Sequence, residues 1–298
     1  MLCAVGDLIE DVVVQLHDDV RRDADTSASI VRRRGGSAAN VAYFAAKLTG
    51  RSRFVGNVGT DALGDSLVAR LQRAGVQVCG ERSGRTGSIV VMTGRDGERT
   101  MLTDRGDALA LSAFNDEWLN EVSALHVPLY SFAGEPIATA SRAAIQAATA
   151  RGIHTSIDLS SVTVLAQLGS RAVHELLKSL RPTLVFCTAA EATAIELSPG
   201  DTHGAGVVVV KDGARPVTTF GPQHPVATHD VVAAPRVVDG TGAGDAFAAG
   251  MLTELAPTSH FSPADLVFSP ADLARSVAAG SRLAREVVGR AGATLEDE

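Results

Sequence analysis

The sequence has little of several residue types that mark specialised classes of protein. Its 298 residues include three isolated cysteines, Cys3, Cys79 and Cys187, with no CxxC spacing. We therefore expect neither a disulfide framework nor a zinc site. No apolar run approaches the roughly 18 residues that span a bilayer, so no membrane partner is expected. The N-terminal stretch MLCAVGDLIED turns acidic early, unlike a signal peptide, and this favours a cytoplasmic location.

Basic residues are also fewer than acidic residues. Lys and Arg number 27 against 34 Asp and Glu, which gives a net charge of -7. This balance argues against a nucleic-acid partner bound through a basic face. It leaves anionic ligands open, because glycine loops, helix N-termini and metals can hold a phosphate locally.

Short apolar runs alternate with helical patterns along the chain. Runs such as LCAVG, RFVGNVG and GVVVV predict buried strands, and SAANVAYFAAKL and SRAVHELLKSLR predict helices between such strands. The alternation predicts an α/β fold, a doubly wound and mainly parallel sheet flanked by helices. Residues 11–34 and 86–104 break the rhythm with four strand patterns, the second pair around a predicted hairpin turn at Arg95-Asp96-Gly97. We expect these strands to form a small β-sheet lid on a single domain of residues 1–298.

The stretch VVDGTGAGDAFAAG, residues 237–250, concentrates glycine and acid before a helical pattern. It is not a P-loop, and its spacing and late position do not fit a dinucleotide-binding fingerprint. The amides of Gly242, Ala243 and Gly244 at a helix start would form an anion hole. Asp245 beside them could accept a proton from a hydroxyl during phosphoryl transfer. The alternative is an ordinary glycine turn capped by an acid.

Three segments resemble the ribokinase-like (PfkB) carbohydrate kinases, in the order that family shows. DGTGAGDAFAAG resembles the family's C-terminal signature, and RRRGGSAANVAYFAAKLTG followed by FVGNVGTDALGD resembles its first signature. VGDLIEDVVV resembles its opening strand. The resemblance covers nearly the whole chain and implies a kinase that moves the γ-phosphate of ATP to a sugar hydroxyl. It makes Asp245 the general base and residues 242–244 the anion hole.

The resemblance also implies contacts for the sugar. Asp11 falls where the family has an aspartate that binds sugar hydroxyls, and Gly35, Gly36 and Asn40 match the motif that lets backbone and amide approach the sugar. Arg105 lies where the lid returns to the main domain and could bind a carboxylate or phosphate, or be a solvated hairpin arginine.

For the nucleotide, the matching positions are Thr188, Glu191, Lys211 and Gly213. Glu191 would organise Mg²⁺ through water, because magnesium needs few protein ligands when phosphates supply oxygens. Asp239 and Thr241, with the segment 289–293, fall where many members hold a monovalent cation such as K⁺.

Two departures from the family pattern leave other functions open. Gly240 stands where Thr is usual, and Thr188 replaces the Asn of an N-x-x-E segment. They motivate a non-catalytic sugar-binding regulator as one alternative. A nucleoside kinase of the same fold is another, with a base stacked on Phe44, Phe132 or Tyr130. A homodimer through the lid strands is a further expectation.

Overall fold

Two sheets organise the protein in a computed structural model that describes residues 1–94, 99–255, 268–290 and 292–295. The strands are, in chain order, β1 (Leu2–Val5), β2 (Ile9–Leu16), β3 (Ala28–Gly35), β4 (Ser52–Val58), β5 (Val76–Arg82), β6 (Thr86–Thr93), β7 (Arg99–Gly106), β8 (Ala124–Pro128), β9 (His154–Asp158), β10 (Leu184–Thr188), β11 (Val207–Asp212), β12 (Arg215–Gly221) and β13 (His224–His229). The α-helices are α1 (Ser37–Thr49), α2 (Ala62–Arg73), α3 (Ile137–Ala150), α4 (Val162–Leu168), α5 (Ser170–Leu180), α6 (Ala189–Ala194), α7 (Ala243–Leu255) and α8 (Pro270–Val287).

The larger sheet has nine strands in the order β13-β12-β11-β10-β9-β8-β1-β4-β5. From β11 to β5 every neighbouring pair is parallel, whereas β12 and β13 pair antiparallel at one edge. The predicted doubly wound, mainly parallel sheet is confirmed. The antiparallel edge follows from the short Asp212–Arg215 connection, which can join antiparallel strands only.

The second sheet is separate and has the order β3-β2-β6-β7. Strand β2 pairs antiparallel with β3 and parallel with β6, and β6 pairs antiparallel with β7. The small sheet expected from residues 11–34 and 86–104 is therefore present. The predicted turn residues Arg95, Asp96 and Gly97 lie outside the described residues.

Helices cover both faces of the large sheet, because its central strands are apolar on both sides. In β1, Leu2 and Ala4 pack into one core with α1, α7 and α8, while Cys3 and Val5 pack into the other with α3 and α5. Such continuous apolar strands are typical of buried parallel sheets. Within the described part of the chain, no helix is long and apolar enough to cross a membrane.

Candidate active site

Two cavities meet at the carboxyl ends of the parallel strands, where open α/β sheets bind their ligands. The first, about 690 Å³, lies between these strand ends and the small sheet, and we call it the inter-sheet cavity. The second, about 440 Å³, has an apolar lining that includes Val217, Val231 and Phe247, and we call it the apolar cavity. Both are lined by Thr188, Lys211 and Gly244. A ligand could therefore extend from one cavity into the other.

The N-terminus of α7 lies at this junction. The Ala243 amide donates to the Gly240 carbonyl at 3.3 Å and closes the turn. The amides of Gly242 and Gly244 have no acceptor among the described residues. Gly242 has φ +77°, and a side chain there would lie 2.4 Å from the Ala293 Cβ, so only glycine fits. Two of the three amides predicted for the anion hole are thus unengaged.

Asp245 follows in the first turn of α7 and lines the inter-sheet cavity. Its Oδ1 accepts a hydrogen bond from Ser37 Oγ at 2.7 Å, and its Oδ2 accepts one from Asn40 Nδ2 at 2.8 Å. Burial raises the pKa of Asp245 to about 7, although these two hydrogen bonds lower it. A carboxyl group with such a pKa can accept a proton near neutral pH.

Of the predicted sugar-binding positions, Asn40 contacts Asp245, and Asp11 and Gly36 line the same cavity. Asp11 lines the cavity, and burial raises its pKa to about 7 against the opposing charge of Arg34. A side chain at Gly35 would lie 2.3 Å from Asp11 Oδ1, so the glycine lets that carboxylate pack against the backbone. Gly36 has φ +94° and lies against the Asp7 carbonyl.

Arg105 reaches from β7 of the small sheet into the inter-sheet cavity. It donates to Asp7 Oδ2 at 2.6 Å and lies over the Tyr130 ring at 4.4 Å. Asp7 is 3% exposed, and its Oδ1 has no hydrogen-bond partner. Arg105 is therefore paired with the buried carboxylate of Asp7, whose Oδ1 can still accept a hydrogen bond.

Lys211 lies between the cavities. Its Nζ donates to Asp158 Oδ2 at 2.6 Å, and a side chain at Gly244 would lie 3.2 Å from that Nζ. Burial alone would lower the pKa of Lys211, but the Asp158 and Glu191 carboxylates raise it above its usual value. The ammonium is therefore charged and lies against the N-terminus of α7.

Thr188 and Glu191 form a capping box at the start of α6. The Thr188 hydroxyl accepts from the Glu191 amide at 3.2 Å, and a Glu191 carboxylate oxygen accepts from the Thr188 amide at 2.8 Å. Burial raises the pKa of Glu191. Thr188, which replaces the expected Asn, thus has a structural role, while both side chains line the inter-sheet cavity. Gly213 lines the apolar cavity at the β11–β12 turn.

Asp239 braces the turn before α7. Its Oδ1 accepts from the Thr241 amide at 2.9 Å and hydroxyl at 2.7 Å, and its Oδ2 accepts from the Gly292 amide at 2.9 Å. The predicted neighbourhood of Asp239, Thr241 and segment 289–293 is therefore present, apart from Ala291, which lies outside the described residues. Among the residues described, no group of three His, Cys, Asp or Glu could hold a metal ion.

Sequence reasoning assigned no role in the site to Ser37 or Asp158. Asp158 ends the buried strand β9, and an acid at the carboxyl end of a parallel strand is a usable sequence signal. Ser37 carries no such signal, because its contact with Asp245 joins residues 208 positions apart.

Comparison with known sequences supports the resemblance along the whole chain. The family model described as pfkB family carbohydrate kinase matches residues 1–298. A fructokinase from Vibrio alginolyticus is 30% identical over 76% of this chain and 78% of its own length. A fructokinase from Klebsiella pneumoniae is 30% identical over 83% of this chain and 84% of its own length.

Solved structures show the same fold. A probable sugar kinase from Rhizobium etli CFN 42 has a TM-score of 0.83 at 20% identity and covers 98% of this chain and 94% of its own. A fructokinase with bound ATP from Xylella fastidiosa has a TM-score of 0.78 at 23% identity, with 98% and 93% covered. At such identities the likeness establishes the fold alone.

Proposed function

Since the chain belongs to the pfkB family of carbohydrate kinases and is a sugar phosphotransferase, we propose that it transfers the γ-phosphoryl group of ATP to a hydroxyl of a neutral sugar, with fructose the first candidate. The observation that carries this proposal is Asp245, placed beside the unengaged amides of α7 where the two cavities meet. Fructokinase relatives at 30% identity support a ketohexose acceptor.

The chemical step follows from the placement of Asp245. The acceptor hydroxyl in the inter-sheet cavity gives its proton to the Asp245 carboxylate as its oxygen forms a bond to the γ-phosphorus. The bond from that phosphorus to the β–γ bridging oxygen breaks, and ADP leaves with the electron pair. The amides of Gly242 and Gly244 stabilise the negative charge on the transferring group, helped by the positive end of α7.

The apolar cavity suits the adenosine part of ATP, and Lys211 at its junction suits the phosphates. The carboxylates of Glu191 and Asp158 lie near this place, which fits a Mg²⁺ ion held mainly by phosphate oxygens and water. Bound Mg²⁺ would neutralise phosphate charge and help align the transferring group. A side chain at Gly240 would meet open space, so no close contact in the turn requires a glycine at this position.

A neutral acceptor is favoured over an acidic or phosphorylated one. Arg105, the predicted anion-binding side chain, already donates to Asp7. The carboxyl groups of Asp7 and Asp11 line the same cavity and can accept hydrogen bonds from hydroxyl groups, whereas an anionic substituent would face these acidic side chains. We therefore propose that Arg105 holds Asp7 in place for a sugar hydroxyl.

The nucleoside alternative has less support. Among the described residues, Tyr130 is the one aromatic side chain that lines the inter-sheet cavity, and Arg105 already covers its ring. Phe44 and Phe132 are packed in the cores and do not line it. The regulator alternative is disfavoured by the retained Asp245, Glu191 and open amides.

Five expectations remain predictions. The small sheet would act as a lid on a single domain of residues 1–298, and its strands would mediate a homodimer. A K⁺ ion would activate through Asp239 and Thr241, although both Asp239 oxygens already accept protein hydrogen bonds. The protein would work in the cytoplasm, and it would have no nucleic-acid partner.

The test is ADP release with Mg²⁺-ATP against fructose, ribose, sugar acids, sugar phosphates and nucleosides. We expect turnover with fructose and with few other neutral sugars. Turnover confined to a sugar acid or a nucleoside would contradict the proposed acceptor class. If no compound in the panel is phosphorylated but a sugar still raises the melting temperature of the protein, the result would favour the non-catalytic sugar-binding regulator.

A further inference from the structure

A buried arginine is connected to the proposed base through one amide. Arg34 donates through Nη1 to Asn40 Oδ1, and Asn40 donates through Nδ2 to Asp245 Oδ2 at 2.8 Å. We propose that Arg34 is a positioning residue for phosphoryl transfer, because it fixes the Asn40 amide in the orientation that holds the Asp245 carboxylate. This inference rests on the proposed function of Asp245.

The orientation follows from hydrogen-bond chemistry. A guanidinium has only donors, and an ionised carboxylate has only acceptors. The Asn40 amide bridges the two, so its oxygen must face Arg34 and its nitrogen must face Asp245. A flipped amide would set its oxygen against the Asp245 oxygen and its nitrogen against a donor. Without Arg34 the amide is held at one end only, by its hydrogen bond to Asp245.

Arg34 is itself held by several elements. It is 7% exposed, its Nη2 donates to the Ala293 carbonyl at 2.8 Å, and its guanidinium lies over the Tyr43 ring at 4.3 Å. Because Arg34 belongs to β3 of the small sheet, its hydrogen bond to Asn40 joins that sheet to α1, and the hydrogen bond from Asn40 to Asp245 joins α1 to α7. The position of the small sheet is thus coupled to the position of the Asp245 carboxylate through the side chain of Arg34.

Other charged and titratable groups lie near Asp245 and Arg34. These groups are unchanged in all of the variants compared below. Asp245 is faced by Asp158 from β9, Lys211 from β11 and Tyr130 after β8. Arg34 also lies near Asp11 of β2 and lowers the pKa of that carboxyl. The double-mutant cycle with Asn40 below separates this effect from the hydrogen bond to Asn40, because a loss that acts through Asp11 persists when Asn40 is replaced.

Arg32 provides a matched control. It lies two residues earlier on β3, and its guanidinium is paired with Glu10 at 2.7 Å while its side chain is 67% exposed. Arg34→Gln should lower kcat for fructose about tenfold to hundredfold, the usual effect of losing a hydrogen bond to a charged group. Arg32→Gln should leave kcat within about twofold, and Arg34→Lys, which keeps a donor and the charge, should recover most of the loss.

A double-mutant cycle separates positioning from a structural role. Asn40→Ala alone should lower kcat, and Arg34→Gln added to it should lower kcat no further. The acid limb of kcat against pH should move to higher pH in Arg34→Gln, because the Asn40 hydrogen bond lowers the pKa of Asp245.

Equal losses from Arg34→Gln in the presence and absence of Asn40, or equal kcat for the Arg34 and Arg32 variants, would overturn the inference. Either result is distinguishable from failure of the proposed function, which would appear as unchanged turnover in Asp245→Asn.

Discussion

Replacing Asp245 by Asn should make the free protein more stable at alkaline pH while it removes activity. The cause is burial, which raises the pKa of the Asp245 carboxyl from 3.8 to about 7. In the folded state the group stays protonated up to that pH, whereas in the unfolded chain it ionises near its ordinary value. Stability from this group is therefore greatest at low pH and is lost as pH rises towards 7. Asn does not titrate and escapes this loss.

The size of the effect follows from proton linkage. Between pH 5 and pH 7, unfolding releases about one proton, so the free energy of unfolding falls by about 1.4 kcal/mol per pH unit. Over that window the wild type should lose up to about 3 kcal/mol relative to Asp245→Asn. Asp11, whose pKa is also raised to about 7, contributes a similar fall to both proteins, and its contribution cancels in the comparison.

Urea unfolding of both proteins at pH 5 and pH 8, without ligands, measures this difference. We expect the free energy of unfolding of Asp245→Asn, relative to wild type, to rise by about 2–3 kcal/mol from the lower to the higher pH. A difference that does not change with pH would refute the reasoning, because it would mean that Asp245 ionises freely in the folded protein.

Further predictions concern single side chains in the site. Lys211→Met should lower kcat/KM for ATP about a hundredfold, because a charged donor at the phosphates is lost, whereas Lys211→Arg should lose much less; steady-state kinetics decides. Gly242→Ala should lower the free energy of unfolding by about 1–3 kcal/mol owing to its φ of +77°, while Gly240→Ala, with open space around it, should change it little in the same urea assay. Arg105→Met should raise the KM for fructose about tenfold by leaving Asp7 unpaired, without creating turnover of sugar acids.

Local sequence patterns predicted many of the strands and helices, because their apolar residues recur at the spacing of the positions that are buried in the fold. The runs LCAVG and GVVVV became β1 and β11, and the glycine-rich turn before Asp245 did open α7. The two segments that broke the α/β rhythm form the second sheet. These features depend on residues close in sequence, which is why they could be predicted.

Contacts between distant residues were beyond such reasoning. Arg105 was expected either to bind an anionic group of a ligand or to be a solvated hairpin arginine, but its guanidinium donates to Asp7, 98 residues away. Arg34 lay in a basic run that gave no hint that this member, unlike the exposed Arg32, would be buried against Asn40. The charge of a side chain is visible in a sequence, but its partner is decided by how the two sheets meet.

The central claim, that Asp245 takes the proton of the acceptor, is tested most directly by rates of fructose phosphorylation at saturating Mg²⁺-ATP in two variants. Asp245→Asn removes the proposed base, and Asp239→Asn alters the other acid of the same glycine-rich segment. We predict a loss of about a hundredfold to ten-thousandfold in kcat for Asp245→Asn, as for other general bases, and a much smaller loss for Asp239→Asn. A kcat for Asp245→Asn close to that of the wild type would contradict the account.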